Sequence, residues 1–180
     1  MADSAAACLT PWSSFYVVIG SSAAALTGLM FVVITIVAGT ERVTQSQDGI
    51  STFSTPIVMH FCAVLFVSAV LIAPWHRLIF PGVLIGILGL YELAYLGRGA
   101  LRTRRLSGYT PDLDDWTWYW ILPLAAYATV FGGAIGLEIA PVDALFAVAS
   151  GALLLIFIGI RNAWDIVTYL TVGGGAHPPS

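Results

Sequence analysis

One uninterrupted apolar run, SFYVVIGSSAAALTGLMFVVITIVA at residues 14–38, contains no charged side chain. As a helix it would be about 38 Å long, which exceeds the roughly 30 Å of a bilayer's hydrocarbon core. Because a backbone surrounded by lipid must satisfy its own hydrogen bonds, we predict that this run is a membrane-spanning helix.

Four more apolar segments follow, at about residues 55–75, 78–97, 116–137 and 142–160, and the last could continue to residue 170. The chain of 180 residues is 58% hydrophobic and 9% charged, against about 25% charged in a soluble domain. This composition excludes an ordinary cytosolic enzyme, a disordered chain and a nucleic-acid-binding protein. We predict an all-α polytopic membrane protein, with five transmembrane helices in one bundle over residues 1–172 and a flexible tail over 173–180.

The basic residues predict the orientation of the bundle. All seven are arginines, and a chain rich in Ala, Gly and Val that lacks Lys is typical of a GC-rich bacterial genome. With the N-terminus outside, the inner loops carry six arginines and the outer loops carry only Arg77, which satisfies the positive-inside rule. We therefore expect an N-out, C-in protein of the bacterial inner membrane.

Small residues recur at four-residue spacing on four of the predicted helices, which lets helix backbones approach closely in lipid. They are Gly20, Ala24, Thr27 and Gly28, then Gly82 and Gly86, then Ala128, Gly132 and Gly136, and finally Ala147 and Gly151. These faces predict either a tight monomeric bundle or the seam of a homo-oligomer. The hydroxyl groups of Ser13, Thr27 and Thr35 could alternatively line a pore.

Two ionisable residues lie inside predicted spans, where such residues are candidates for function. His60 in the second helix and Glu92 in the third fall at a similar depth, and the short connection between these helices predicts antiparallel neighbours. A His60–Glu92 pair could act as a proton relay or gate. Alternatively, Glu92 reaches Arg98 or Arg102, and His60 bonds a nearby carbonyl group.

The third connection is basic at its start and acidic at its end. Arg98, Arg102, Arg104 and Arg105 could bind anionic lipid headgroups, or they could serve only to fix the topology. The acidic run at residues 112–115 precedes the tryptophan-rich stretch at residues 116–120. We interpret the acidic run as a helix N-cap rather than a cation site, and the tryptophans as an interfacial belt rather than a ligand cage.

The chain contains no sequence signature of hydrolase, nucleotide-binding or metal chemistry. We therefore expect no metal, no cofactor and no catalytic residue, although enzyme activity is left open. The expected partners are the lipid bilayer and either a second copy of the chain or a larger membrane protein complex.

The first helix carries Phe15-Tyr16, Gly20-Ser21, Leu26-Thr-Gly-Leu29 and Phe31-Val32. This pattern resembles the opening helix of a group of small bacterial integral membrane proteins. The resemblance implies a bacterial membrane protein and carries over no site residues. Taken together, the sequence predicts an accessory subunit or small homo-oligomer that acts through helix packing. The alternative is a proton- or ion-coupled transporter or channel that uses His60 and Glu92.

Overall fold

The computed structural model describes residues 2–38, 47–105 and 116–172, and these residues are almost entirely helical, with no strand among them. The helices are α1 (Ala2–Leu9), α2 (Ser13–Ala38), α3 (Gln47–Ile72), α4 (Ile79–Arg105), α5 (Leu122–Gly136) and α6 (Pro141–Val172). A 3-10 turn at Thr10–Trp12 joins α1 to α2, and a π-helical turn at Thr117–Ile121 leads into α5. The predicted all-α fold class is confirmed.

Four helical segments of the described residues are long and apolar enough to cross a membrane, namely Ala5–Thr35, Ile79–Leu101, Thr117–Gly136 and Pro141–Asp165. The apolar part of α3, Pro56–Ile72, is shorter. However, α3 as a whole has 26 residues, a length of about 39 Å that is sufficient for a fifth crossing. These apolar helices fit a multi-pass integral membrane protein.

The helices extend beyond the apolar segments that predicted them. Helix α4 continues to Arg105, two turns past the predicted end near residue 97, and α6 reaches Val172, past the predicted extension to residue 170. Hydropathy marks the part of a helix that lies in lipid, whereas the backbone hydrogen bonds continue into the interface. The predicted tail at 173–180 and the acidic run at 112–115 lie outside the described residues.

Helix α6 occupies the centre of the bundle. In its apolar window 56% of the residues are buried, compared with 22% in the segment Ala5–Thr35. It packs along both α5 and α3. In addition, α2 packs against α3, and α4 packs against α5. The core is formed by aliphatic side chains from these helices, among them Val64, Val130 and Val148.

The expectation that α3 and α4 pack side by side is not met, because the two helices make only minor contact. Helix α4 instead packs on α5 through its glycines. A Cβ added at Gly82 would lie 2.9 Å from the carbonyl oxygen of Ala134, and one at Gly89 would lie 3.0 Å from the Cβ of Phe131. Since α5 occupies the small-residue face of α4, α3 packs on α2 and α6 instead.

Candidate functional site

The seam between α4 and α5 determines where Glu92 lies. The two helices run antiparallel, because Gly89 meets Phe131 and Gly99, farther along α4, meets the ring of Trp120. Between these two contacts, Glu92 falls opposite Tyr127. By this register Glu92 and Tyr127 lie at the same level of the seam.

Glu92 and Tyr127 are both enclosed by the bundle. Glu92 is 1% exposed and Tyr127 is 0% exposed. The Oε1 atom of Glu92 is buried and has no hydrogen-bond partner among the described residues. A buried carboxylate oxygen without a partner is costly, since it has lost its hydration and gained no compensating bond.

His60 reaches the same tyrosine from α3. Its Nδ1 atom lies 3.0 Å from the Tyr127 hydroxyl oxygen, and the two ring centroids are 5.6 Å apart. The hydroxyl donates when Nδ1 carries no hydrogen, and it accepts when Nδ1 is protonated. His60 is 2% exposed, so water does not compete for this bond.

His60, Tyr127 and Glu92, here called the polar cluster, are therefore three buried polar residues of α3, α5 and α4. The sequence singled out His60 and Glu92 as a pair, but the described residues contain no hydrogen bond between them. His60 bonds Tyr127, and Glu92 lies at the level of Tyr127 across the seam between α4 and α5. A tyrosine hydroxyl can donate one hydrogen bond and accept another, so Tyr127 is chemically suited to connect a base with an acid.

The alternative partners that we considered for Glu92 are the arginines. Arg98 is exposed, and no ion pair joins it to Glu92 in the described part of the chain. The side chains of Arg102, Arg104 and Arg105 lie outside the described residues, so their contacts with lipid headgroups stay a prediction. Arg161 pairs with Asp165, one turn along α6.

A second buried polar contact lies at the π-helical turn. There the Leu122 N–H donates to the Thr117 carbonyl, and Pro123 has no N–H to offer. The carbonyl of Trp118 is thus left without its usual helical donors, and the Nδ2 of Asn162 donates to it at 3.4 Å. The sequence analysis did not single out Asn162, which is 1% exposed. The sequence feature that could have identified it as a buried polar residue is a lone Asn in an apolar helix.

The tryptophans of this turn pack against protein groups. The Arg161 guanidinium lies over the Trp118 ring, 4.7 Å from its centroid, and the Trp120 ring packs against Gly99. A cation over an aromatic face is attracted by the ring quadrupole. These contacts tie the start of the fourth span to α4 and α6.

The small residues that the sequence singled out have two kinds of environment. Those that approach a neighbouring helix are Gly20, Gly82, Gly86, Gly136 and Gly151. Those on the exposed surface are Ala24, Gly28, Ala128 and Gly132, while Thr27 and Ala147 are half-buried. The structure also brings Gly89, Gly133 and Gly159, which we had not singled out, into close contact with other helices.

The hydroxyl groups of α2 that could line a pore are bonded locally, and their place in a pore stays a prediction. Ser13, Thr27 and Thr35 each donate to a backbone carbonyl three or four residues earlier, at 2.8 Å in every case. Such bonds satisfy the hydroxyl group within its own helix. In this conformation the hydroxyls need no pore water as a partner.

Two apolar grooves lie on the lipid-facing surface. One is lined by Phe66, Leu84, Ile87, Leu88 and Tyr91, and the other is lined mainly by residues of α2 and α6. Neither groove is lined by a member of the polar cluster. Within the described residues, no three His, Cys, Asp or Glu side chains gather in a way that could hold a metal ion.

Comparison with known proteins adds no family assignment. No family model matches the chain, and no match was found among curated proteins or solved structures.

Proposed function

We propose that this chain is a multi-pass protein of a bacterial cytoplasmic membrane, oriented N-out and C-in, that acts as an accessory subunit or small homo-oligomer. It binds its partner, or a second copy of itself, through the lipid-facing sides of its helices.

One observation carries this proposal. Gly28 on α2 and Gly132 on α5 are exposed, and an added Cβ at either position would meet no atom within 4 Å. Ala24 and Ala128, one turn earlier on the same helices, are exposed as well. Glycine costs helix stability relative to alanine, and Gly28 and Gly132 are not needed here for packing within the bundle. In lipid they favour close contact with another helix.

The test is the assembly state of the chain extracted from its own membrane in native nanodiscs. We expect a homo-oligomer or a stoichiometric complex by native mass spectrometry, and a loss of that assembly in Gly28→Ile or Gly132→Ile. Val18→Ile, which changes an equally exposed site on α2 that has no small side chain, is the matched control. A monomer, or an assembly that tolerates both glycine substitutions, would contradict the proposal.

A second candidate is a proton- or ion-coupled transporter or channel, and the polar cluster is the observation that favours it. His60, Tyr127 and Glu92 place a base, a hydroxyl group and an acid in the buried interior of the bundle, with the base bonded to the hydroxyl group. Intramembrane ionisable residues commonly mark proton or ion pathways. Proton flux into liposomes containing the protein, compared with Glu92→Gln, tests this candidate, and unchanged flux would remove it.

A further inference from the structure

Among the described residues, the Oε1 of Glu92 is the buried, unpartnered side-chain oxygen that belongs to an ionisable group. Asn162 and Ser68 also have buried side-chain oxygens without partners, but those groups are neutral. A carboxylate is different, because an ionised group in an apolar interior must find a cation, several donors or a proton.

Among the described residues, no cation forms an ion pair with Glu92. On α5 the residue at its level is Tyr127, which bonds His60 of α3, and Cys62 lies two residues beyond His60. His60 directs Nδ1 to the tyrosine hydroxyl.

The nearest arginines are oriented elsewhere. Arg161 of α6 pairs with Asp165 and lies over the ring of Trp118. Arg98, on the same helix as Glu92, is exposed. Neither Arg98 nor Arg161 therefore pairs with Glu92, and the side chain of Arg102 lies outside the described residues.

We propose that Glu92 is a proton-binding site, which takes one proton from water onto its carboxylate when the seam between α4 and α5 closes and returns that proton to water when the seam opens. The bound form is a neutral carboxylic acid, which the dry interior accepts. The ionised form requires donors that the closed seam does not contain, so proton release and hydration of the seam occur together.

The packing beside Glu92 fits such a coupling. Gly89, one turn before Glu92, lets the backbone and Cβ of Phe131 approach α4 closely, at 3.0 to 3.5 Å from an added Cβ. Phe131 is itself one turn from Tyr127. With contact this close, water cannot pass between α4 and α5 at Gly89 unless the two helices separate, which links the hydration of Glu92 to the spacing of these helices.

This inference rests on the proton-linked candidate for its biological use, and it is independent of the packing role. It adds to that candidate the group that carries the proton, the Glu92 carboxylate. It also adds the helix seam, between α4 and α5, whose closure accompanies proton binding.

Infrared spectroscopy of the full chain in liposomes detects a protonated carboxyl group directly through its C=O stretch, which shifts in D₂O. At neutral pH, where exposed carboxyl groups are ionised, we expect one such band in the wild type. It should be absent in Glu92→Gln and retained in Glu138→Gln, because Glu138 is exposed. Raising the pH should remove the band, and Tyr127→Phe should shift its frequency.

A wild-type protein without the band at neutral pH, or a band that persists in Glu92→Gln, would overturn the proposal. The wild-type pH titration requires no variant, so it decides the question even if Glu92→Gln misfolds. A measurement of proton flux distinguishes failure of this proposal from failure of the transporter candidate. A band without flux supports the site and removes the transporter, whereas flux without the band overturns the site.

Discussion

Replacing Gly133 by alanine should weaken the contact between α5 and α6. Its added Cβ would lie 2.7 Å from the Val148 Cγ2 and 2.9 Å from the Ala144 carbonyl oxygen. The side chain of Val148 can rotate, but the carbonyl belongs to the backbone of α6. To restore an ordinary contact of 3.4 Å, α6 would have to withdraw by about half an ångström.

The adjacent glycine provides the matched control. Gly132 is exposed, and an added Cβ there meets nothing within 4 Å. Both substitutions gain the same helix propensity, roughly 1 kcal/mol over glycine, so this gain cancels between the two variants. What remains is the overpacking cost, which is about 1–3 kcal/mol in well-packed cores. We therefore expect Gly133→Ala to be less stable than Gly132→Ala by about 1–3 kcal/mol.

The assay is reversible unfolding in mixed micelles with increasing SDS, followed by circular dichroism. Both variants should keep the helical content of the wild type before the transition, which shows that they fold. If the two free energies of unfolding differ by less than about 0.5 kcal/mol, the size of a typical surface effect, the close packing of α5 on α6 is refuted.

Three further substitutions test buried polar groups by the same unfolding assay. Tyr127→Phe removes the hydroxyl that bonds His60 at 3.0 Å and should cost about 1–3 kcal/mol, and an unchanged stability would argue against that bond. Ser68→Ala removes a buried hydroxyl oxygen that has no partner, so stability should stay equal or rise by up to about 1 kcal/mol, and a clear loss would reveal a missed bond. Asn162→Leu deprives the Trp118 carbonyl of its side-chain donor and should cost about 1–3 kcal/mol, whereas a neutral result would mean that the π-helical turn needs no such support.

The helices themselves could be predicted from the sequence because lipid imposes a simple rule on long apolar runs. The predicted first span at residues 14–38 differs from α2, Ser13–Ala38, by one residue. The predicted fourth span at residues 116–137 matches the π-helical turn and α5 together. Where the prediction fell short, as at the end of α4 at Arg105, the helix had left the apolar region while its backbone bonding continued.

Helix neighbours and helix faces could not be predicted in this way. Lipid is as apolar as the bundle interior, so both faces of α5 are apolar and periodicity does not distinguish Gly132 from Gly133. For the same reason Tyr127 resembles an aromatic residue that faces lipid. Its role depends on α5 packing beside α4, an arrangement that the short α3–α4 connection did not reveal.

The central claim is that the chain is a sealed membrane bundle with Glu92 inside it. Its most direct test labels single cysteines with a membrane-impermeant maleimide after Cys8 and Cys62 have been replaced by serine. We predict that Glu138→Cys reacts readily from the outer side of intact membranes, whereas Glu92→Cys reacts only slowly from either side, during openings of the seam between α4 and α5, and readily once the protein is denatured. Rapid labelling of Glu92→Cys in the folded protein would show a water-filled path and contradict the account.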